Sequence, residues 1–323
     1  MANVTFLCVN YFTARYIRFH EWCLEQISMG EPPEWIVTEN SLDPLERHML
    51  ESSSRIRVLD SPEEATKPPE GYSPRSYPHA VALNDLLKHS DTEFTVILDP
   101  DFFLLRPKWD GFLLNLLAEG ISMIGAPYHP TRRLKFGLNF PTVTFMCFRT
   151  KDLLALDVDF RPNPYPPIES FSYRTRVLRW MHFGTWRDTG WRVCERFTNS
   201  GFHAISFDTP HLRPRSQTIA RRLVNILLPQ RLLELPKRPY LRPDNGLITE
   251  AELEGAPGGA RYEEFYLRGE LMACHLRGAS QLRIDFNGEG SFWLRRIANH
   301  LGLNYQEFER TLAFTTNTYC RNS

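Results

Sequence analysis

The chain has 323 residues, 42% of them hydrophobic and 24% charged, which provides enough apolar material for one large domain or two small ones. Its 38 Lys and Arg residues balance its 38 Asp and Glu residues, which argues against a general nucleic-acid coat, since such a coat needs a basic excess. No run approaches the length of a membrane span, and the six cysteines form no close pair, so neither a membrane helix nor a disulfide framework or zinc knuckle is expected.

The first half of the chain alternates strand-like and helix-like segments. Strands are predicted over 4–9, 34–40, 55–60, 94–99 and 121–127, and helices over 13–30, 44–53, 76–90 and 109–120. This alternation predicts an α/β fold with a mostly parallel central sheet flanked by helices. In such sheets ligands bind beyond the carboxyl ends of the strands. The polar residues that fall there are Asn10, Glu39, Asn40, Asp99 and Asp101.

The second half of the chain has a less regular pattern. Together with the first half, it predicts that the chain is organised in three parts. Strands are expected over 142–150 and 270–276, a helix followed by a strand over 187–207, and helices from Ser291 onward. Residues 1–210 are expected to form the core, 211–246 a basic, proline-rich excursion, and 247–323 a part that returns to the core and ends in helices. Within 211–243, eight Lys or Arg residues stand against one Glu. A basic amphipathic segment can lie on an anionic membrane surface, or it can pack on the domain with its arginines in water.

Two aspartates interrupt the apolar stretch "FTVILDPDFFLL". Asp99 and Asp101 flank Pro100 at the end of a buried strand, and alternation along an extended chain predicts that both carboxylates face one spot. Two close anions are unfavourable unless a cation lies between them, and Mg²⁺ or Mn²⁺ prefers such oxygen ligands. Two other interpretations are open. Asp99 caps a turn beside a solvated Asp101, or the pair belongs to an aspartyl-nucleophile phosphatase, whose aspartates follow the first strand.

Longer blocks carry a resemblance to a known family. Residues 79–105, "HAVALNDLLKHSDTEFTVILDPDFFLL", resemble the central block of glycosyltransferases with the A-type (GT-A) fold, and "WIVTENS" (35–41) looks like their second strand. Residues 187–207 resemble a block of the family-2-like inverting enzymes. The resemblance covers roughly 3–207 and, more faintly, 262–280. It implies a Rossmann-like GT-A fold with an irregular helical C-terminal region.

The resemblance also implies a metal site. Asp101 would bind Mn²⁺ or Mg²⁺ directly, and the ion would neutralise the diphosphate of a nucleotide-sugar donor as it leaves. Asp99 would hold the ribose or a water on the metal. His275, which follows a late strand in "MACHLRGAS", would be the third metal ligand. The alternative for His275 is a structural histidine.

Further donor-binding residues are implied on the first two strands and on the helix that precedes Asp99. Asn10, Glu39 and Asn40 would line the nucleoside pocket, with Glu39 in the place of the family's more usual Asp. His79 and Asn84 lie on the 76–90 helix, whose N-terminus would favour the donor's negative charge. The alternative for His79 is a surface residue at a helix start.

Asp188 is the predicted catalytic base. In inverting enzymes a carboxylate deprotonates the acceptor hydroxyl as that oxygen attacks the anomeric carbon. Asp188 precedes the "TGWRV" segment, and its neighbour Arg187 stands where the family often has Glu. Asp is also a favoured N-cap residue, and the two roles are compatible.

The sequence thus predicts a metal-dependent glycosyltransferase that moves a sugar, with inversion, to a hydroxyl of a glycan or lipid-linked acceptor. The alternatives are a non-catalytic sugar-nucleotide or glycan binder on the same fold, and a nucleotidyltransferase. The latter normally needs a glycine-rich loop after its first strand, where this chain has "VNYFTARY". The N-terminal residues lack a basic leader and a long apolar segment, so a cytoplasmic location is expected, with peripheral contact to the inner face of the membrane tied to 211–243.

Overall fold

A computed structural model describes residues 4–127, 140–162, 189–209, 245–257, 262–277 and 289–322. The strands are β1 (Val4–Asn10), β2 (Glu34–Glu39), β3 (Ile56–Asp60), β4 (Phe94–Leu98), β5 (Phe102–Leu104), β6 (Met123–Gly125), β7 (Phe145–Arg149), β8 (Ala204–Ser206), β9 (Tyr262–Leu267) and β10 (Glu270–Leu276). The helices are α1 (Ala14–Ile27), α2 (Pro44–Glu51), α3 (Glu63–Thr66), α4 (Ser76–Leu87), α5 (Trp109–Ala118), α6 (Thr150–Ala155), α7 (Trp191–Asn199), α8 (Glu250–Gly255), α9 (Glu289–His300) and α10 (Tyr305–Asn322).

The central sheet has seven strands in the order β3-β2-β1-β4-β7-β6-β8. The neighbours β3, β2, β1 and β4 are parallel, as are β6 and β8, whereas β7 runs antiparallel to β4 and β6. The predicted fold class, a mostly parallel α/β sheet flanked by helices, is confirmed. Because β1, β2 and β4 run the same way, their carboxyl ends lie side by side, and Asn10 is paired with Glu39 in the register of β1 and β2.

The core explains why these segments are strands. Every residue of β1 and β4 is buried. Alternate residues of β1 face opposite sides of the sheet, so that Phe6 packs in the cluster with Ile17 of α1, and Leu7 packs in the cluster with Leu83 of α4. Strands buried on both faces read as continuous apolar runs, which is the pattern of "VTFLCV" and "FTVIL".

A second, antiparallel sheet has the order β5-β10-β9. The sequence patterns predicted β10 but neither β5 nor β9. The β9 segment, "YEEFYL", contains two glutamates, yet every residue of it is buried. Burying a carboxylate costs little free energy only when it is paired and hydrogen-bonded, so β9 can be buried because Glu263 and Glu264 have partners.

The helix predicted over 76–90 begins at Ser76 as α4, and the hydroxyl of Ser73, just before it, accepts the backbone N–H of Ser76 at 3.2 Å. The strand expected over 142–150 is shorter, because Thr150 is already the first residue of α6.

The predicted basic excursion falls almost entirely on residues 210–244, which lie outside the described residues. Its flanks are both attached to β9. Asp208 and Tyr266 exchange backbone hydrogen bonds of 2.7 and 2.8 Å, and the backbone N–H of Leu247 donates to Glu264 at 3.0 Å. The chain therefore leaves and re-enters the described structure beside the same strand. The boundaries at 210 and 246 stay a prediction.

None of the helices in the described ranges combines the length and the apolar character that crossing a membrane requires.

Candidate active site

Asp99 and Asp101 lie in a tight turn between β4 and β5. The backbone N–H of Phe102 donates to the Asp99 carbonyl at 3.0 Å, and Leu276 of β10 donates to the Asp101 carbonyl at 2.8 Å. The expectation of an extended chain is therefore wrong, because Asp99, Pro100 and Asp101 form a turn. That both carboxylates face one spot stays a prediction. The contacts of the two side chains differ. Asp101 contacts His275, and Asp99 faces His79.

The small sheet brings His275 to this turn. β10 pairs antiparallel with β5, and His275 stands opposite Phe102, the residue after Asp101. The His275 Nε2 atom is 3.2 Å from Asp101 Oδ1, although 174 positions separate the two residues. Both are buried, with exposures of 8% and 6%. The structure thus unites two of the three predicted metal ligands.

Glu263 is a further member of the site, and the sequence interpretation missed it. Its Oε2 atom lies 3.3 Å from His275 Nδ1, and its Oε1 atom lies 2.8 Å from Arg277 Nη2. The available signal was the pair of segments "YEEFYL" and "ELMACHL", joined by Arg268 and Gly269, which reads as a two-residue hairpin. Pairing those strands places Glu263 opposite or next to His275.

The electrostatics of His275 follow from these contacts. Burial alone would lower the pKa of His275, but Asp101 and Glu263 raise it from 6.5 to about 10. In the metal-free protein at neutral pH, His275 is therefore an imidazolium whose two N–H groups point at two carboxylates.

His79 lies on α4 beside the other aspartate. Its Nε2 atom is 3.6 Å from Asp99 Oδ1, and both side chains are partly exposed. Burial lowers the pKa of His79, and the charge of Asp101 opposes this shift only in part. His79 is thus neutral at neutral pH, unlike His275.

His20 of α1, a second residue that the sequence interpretation missed, contacts the turn that contains Asp99 and Asp101. His20 is buried, stacks on Phe103 with a ring-centroid distance of 4.4 Å, and its Nε2 atom lies 3.0 Å from the Pro100 carbonyl oxygen. Burial lowers its pKa to about 4, against the opposing effect of that carbonyl and of Asp101. The ring is therefore neutral, and its Nε2–H donates to the turn.

The predicted nucleoside residues lie at the same edge, but Asn10 and Glu39 already have protein partners. Asn10 Nδ2 donates to Glu39 and, at 3.2 Å, to Glu46, while its Oδ1 accepts the Thr13 backbone N–H at 2.9 Å. Asn40 differs. Its backbone N–H donates to the Asn10 carbonyl, and its side-chain oxygen is buried without a hydrogen-bond partner in the described residues. That oxygen can accept a hydrogen bond from a ligand.

Asn84 connects α4 to the segment after α6. Its Nδ2 donates to Asp159 at 2.8 Å, and its Oδ1 accepts the Phe160 backbone N–H at 2.9 Å. In this structure both ends of the amide hold the chain, and the predicted contact with a donor stays a prediction.

Asp188 lies outside the described residues, but the two residues after it are fixed. The Thr189 hydroxyl donates to the Ser76 carbonyl at 3.1 Å, and the Gly190 backbone N–H donates to the Phe160 carbonyl at 2.7 Å. Gly190 has a φ of +77°, and a Cβ there would lie 2.6 Å from Val143 Cγ1, so a side chain would not fit. Thr189, the residue after Asp188, is therefore attached to the start of α4, the helix that carries His79.

Asp101 and His275 fit a divalent ion. A carboxylate oxygen beside an imidazole nitrogen is a ligand pair that Mn²⁺ accepts. Among the residues described, no group of three or more His, Cys, Asp or Glu side chains is already arranged to hold a metal. Asp99 faces His79, so its part as the third ligand stays a prediction.

Neither the protein-family models nor the curated proteins yield a match to this chain. Among solved structures, 49% of the chain is similar to the mannosyltransferase PcManGT from Pyrobaculum calidifontis in complex with GDP-Man and Mn²⁺, at 16% identity and a TM-score of 0.36. The match spans about half of that protein, 47% of its length.

Longer matches cover 64% of the chain. One is to the galactosyltransferase LgtC in complex with donor and acceptor sugar analogs, at 11% identity, a TM-score of 0.39 and 73% of that chain. Another is to glucosyl-3-phosphoglycerate synthase from Mycobacterium tuberculosis with Mn²⁺, UDP and glucosyl-3-phosphoglycerate, at 15% identity, a TM-score of 0.40 and 70% of that chain. These structures belong to the enzyme class that the sequence resemblance indicates. Their TM-scores are below 0.5, so no conclusion about function is drawn from them. The functional argument depends on the residues of this chain.

Proposed function

We propose that the chain is a metal-dependent glycosyltransferase that transfers a sugar from a nucleotide-sugar donor to a hydroxyl of a glycan or lipid-linked acceptor. The contact between Asp101 and His275 carries the proposal. A buried carboxylate and imidazole meet at the carboxyl edge of a mostly parallel sheet, where ligands of such folds bind.

In this proposal Asp101 and His275 hold Mn²⁺ or Mg²⁺, and the ion, when bound, supplies positive charge to the departing diphosphate. Arg277, two positions after His275, adds a second positive charge for the same phosphates. His20 holds the Pro100 carbonyl, so the turn presents Asp101 in a fixed position. These groups lower the barrier because they stabilise charge that develops as the sugar leaves.

The donor's nucleoside would lie beyond β1 and β2. The buried Asn40 side-chain oxygen supports this position, since it is an acceptor without a protein partner in the described part of the chain. Asn10 would act through Glu39, whose carboxylate it orients. Asp99 and His79 would face the ribose from the side of α4, and Asn84 would hold the neighbouring chain segment.

Asp188 would be the base that deprotonates the acceptor hydroxyl, with inversion at the anomeric carbon. The attachment of Thr189 to the start of α4 supports its placement on the side of the site that His79 occupies. NMR of the product's anomeric configuration tests this role. Inversion is expected, with loss of turnover in Asp188→Asn, and retention of configuration would contradict it.

A thermal-shift screen of UDP-, GDP- and dTDP-sugars, with and without Mn²⁺, tests the proposed function. One donor is expected to raise the melting temperature only with Mn²⁺, because ligand that binds the folded state stabilises it by RT ln(1 + [L]/Kd). Asp101→Asn is expected to lose this response, and Asp91→Asn, at an exposed position before β4, to keep it. If no donor stabilises the wild type, or if Asp101→Asn responds fully, the proposal is wrong.

A non-catalytic sugar-nucleotide or glycan binder is the second candidate. It is motivated by two departures from the family pattern, Glu39 in the place of the more usual Asp and Arg187 where the family often has Glu. Turnover separates the two functions. Release of nucleoside diphosphate from the stabilising donor, absent in Asp101→Asn with an unchanged circular dichroism spectrum, would exclude the binder.

A further inference from the structure

We propose that Glu263 is a positioning residue that sets the orientation of both His275 and Arg277, and so couples the cation site to the phosphate-binding arginine. What the inference says about Arg277 rests on the proposed function. What it says about His275 depends only on the binding of a divalent cation.

The geometry of Glu263 is the first ground. Glu263 lies on β9 directly opposite His275 in the register of the small sheet, and it is 6% exposed. Its two carboxylate oxygens are divided between two residues of the site. Oε2 is 3.3 Å from His275 Nδ1, and Oε1 is 2.8 Å from Arg277 Nη2.

The second ground is that a neutral imidazole carries its hydrogen on one ring nitrogen and a lone pair on the other. The nitrogen of His275 that faces Asp101 is Nε2, so Nδ1 has to carry its hydrogen toward an acceptor for Nε2 to offer a lone pair to a cation. Glu263 is that acceptor. A carboxylate behind a ligating histidine fixes the orientation of the ring and increases the basicity of the facing nitrogen.

The second oxygen extends the effect to Arg277. The guanidinium contacts Glu263 through Nη2, and the arginine side chain remains 30% exposed, so part of it is available to an anion. A change at Glu263 therefore alters both the Nε2 atom of His275 and the guanidinium of Arg277. Binding of a cation and binding of a diphosphate are then thermodynamically linked through one carboxylate.

The adjacent residue, Glu264, provides the contrast. It is buried on the other face of β9, where it accepts the hydroxyls of Tyr262 at 2.6 Å and Tyr266 at 2.7 Å and the backbone N–H of Leu247 at 3.0 Å. These partners belong to the core and to the chain that follows the excursion. Glu264 is thus a structural carboxylate one position away, buried like Glu263 but 1% exposed against 6%.

Electron paramagnetic resonance of free Mn²⁺, titrated with protein alone, tests the first part. Glu263→Ala is expected to weaken Mn²⁺ binding by about 10- to 100-fold, and Glu263→Gln, whose side-chain oxygen still accepts from Nδ1, to lose less. Glu264→Gln is expected to bind Mn²⁺ as the wild type does, even though it removes a buried charge. Circular dichroism checks that each variant is folded.

The second part is tested with the nucleoside diphosphate of the donor found in the screen. In the wild type Mn²⁺ is expected to tighten its binding, and in Glu263→Gln this enhancement is expected to fall at least several-fold. Equal Mn²⁺ affinity in the wild type and both Glu263 variants would overturn the inference, as would no Mn²⁺ binding by the wild type. If no donor is turned over but the Glu263 variants still lose Mn²⁺ affinity, the proposed function fails and the positioning role stands.

Discussion

Raising the pH in the presence of EDTA is expected to destabilise the metal-free protein through His275. In the folded state its pKa is raised to about 10 by Asp101 and Glu263, against 6.5 for the ordinary side chain that the unfolded chain presents. The imidazolium therefore stabilises the fold fully below about 6.5. This contribution decreases as the pH rises and is lost above about 10, because the folded state binds the extra proton throughout that window.

The size of the effect follows from the width of the window. Each pH unit within it costs about 1.4 kcal/mol, so the free energy of unfolding should fall by about 4 kcal/mol from neutral pH to about 10. Urea denaturation at a series of pH values and constant ionic strength measures it. His275→Gln is the matched control, since it keeps every other titrating group and lacks only the imidazole.

The decisive quantity is the difference in the free energy of unfolding between wild type and His275→Gln. That difference should be larger at neutral pH than near pH 10 and should shrink steadily between them. A difference that stays constant over this range would refute the assignment of an imidazolium between two carboxylates.

Three substitutions test other parts of the site. His20→Phe keeps an aromatic ring in place but removes the hydrogen bond to Pro100, so it should lower the free energy of unfolding by about 1 kcal/mol in urea and weaken Mn²⁺ binding; unchanged Mn²⁺ affinity would remove His20 from the site. Glu264→Gln should cost about 1–3 kcal/mol in the same assay, and no loss would contradict its role as an anchor. Gly190→Ala should cost about 1–3 kcal/mol, because it combines a positive φ with a clash against Val143, and a wild-type melting temperature would be inconsistent with that backbone.

The parallel part of the central sheet was predictable because its signals are local. The segments 4–9, 34–40, 55–60 and 94–99 coincide with β1–β4 to within one residue at each end. Their apolar runs are set by burial on both faces, and this needs no knowledge of distant residues. The direction of β7 was not predictable, since the apolar pattern of a strand is the same whichever way its neighbours run.

The small sheet was hidden for a different reason. β5 has three residues and follows a turn, and β9 contains Glu263 and Glu264, whose burial depends on partners elsewhere. The hairpin signal at Arg268 and Gly269 gives only an approximate register. A β-bulge between Leu271 and Ala273 shifts the pairing by one residue, and only with that shift does His275 stand opposite Glu263.

The candidate site was predictable in part. The family resemblance named Asp101 and His275, and the structure brings them into contact. His20 was missed because its relation to the site is a contact with Pro100, 80 positions away, and nothing in a helical apolar pattern distinguishes such a histidine from an ordinary core residue. Asn84 was identified by its helix, but its amide holds the chain at Asp159 and Phe160, contacts that a local pattern does not contain.

The most direct test of the proposed chemistry is donor turnover as Mn²⁺ is titrated. Release of nucleoside diphosphate from the stabilising donor would be measured in the wild type, in Asp101→Asn and His275→Gln, and in the exposed control Asp91→Asn. Turnover should saturate with Mn²⁺ in the wild type and the control and be lost in both site variants while they remain folded. Wild-type turnover with an unchanged Mn²⁺ dependence in Asp101→Asn would contradict the assignment of this turn as the metal and diphosphate site.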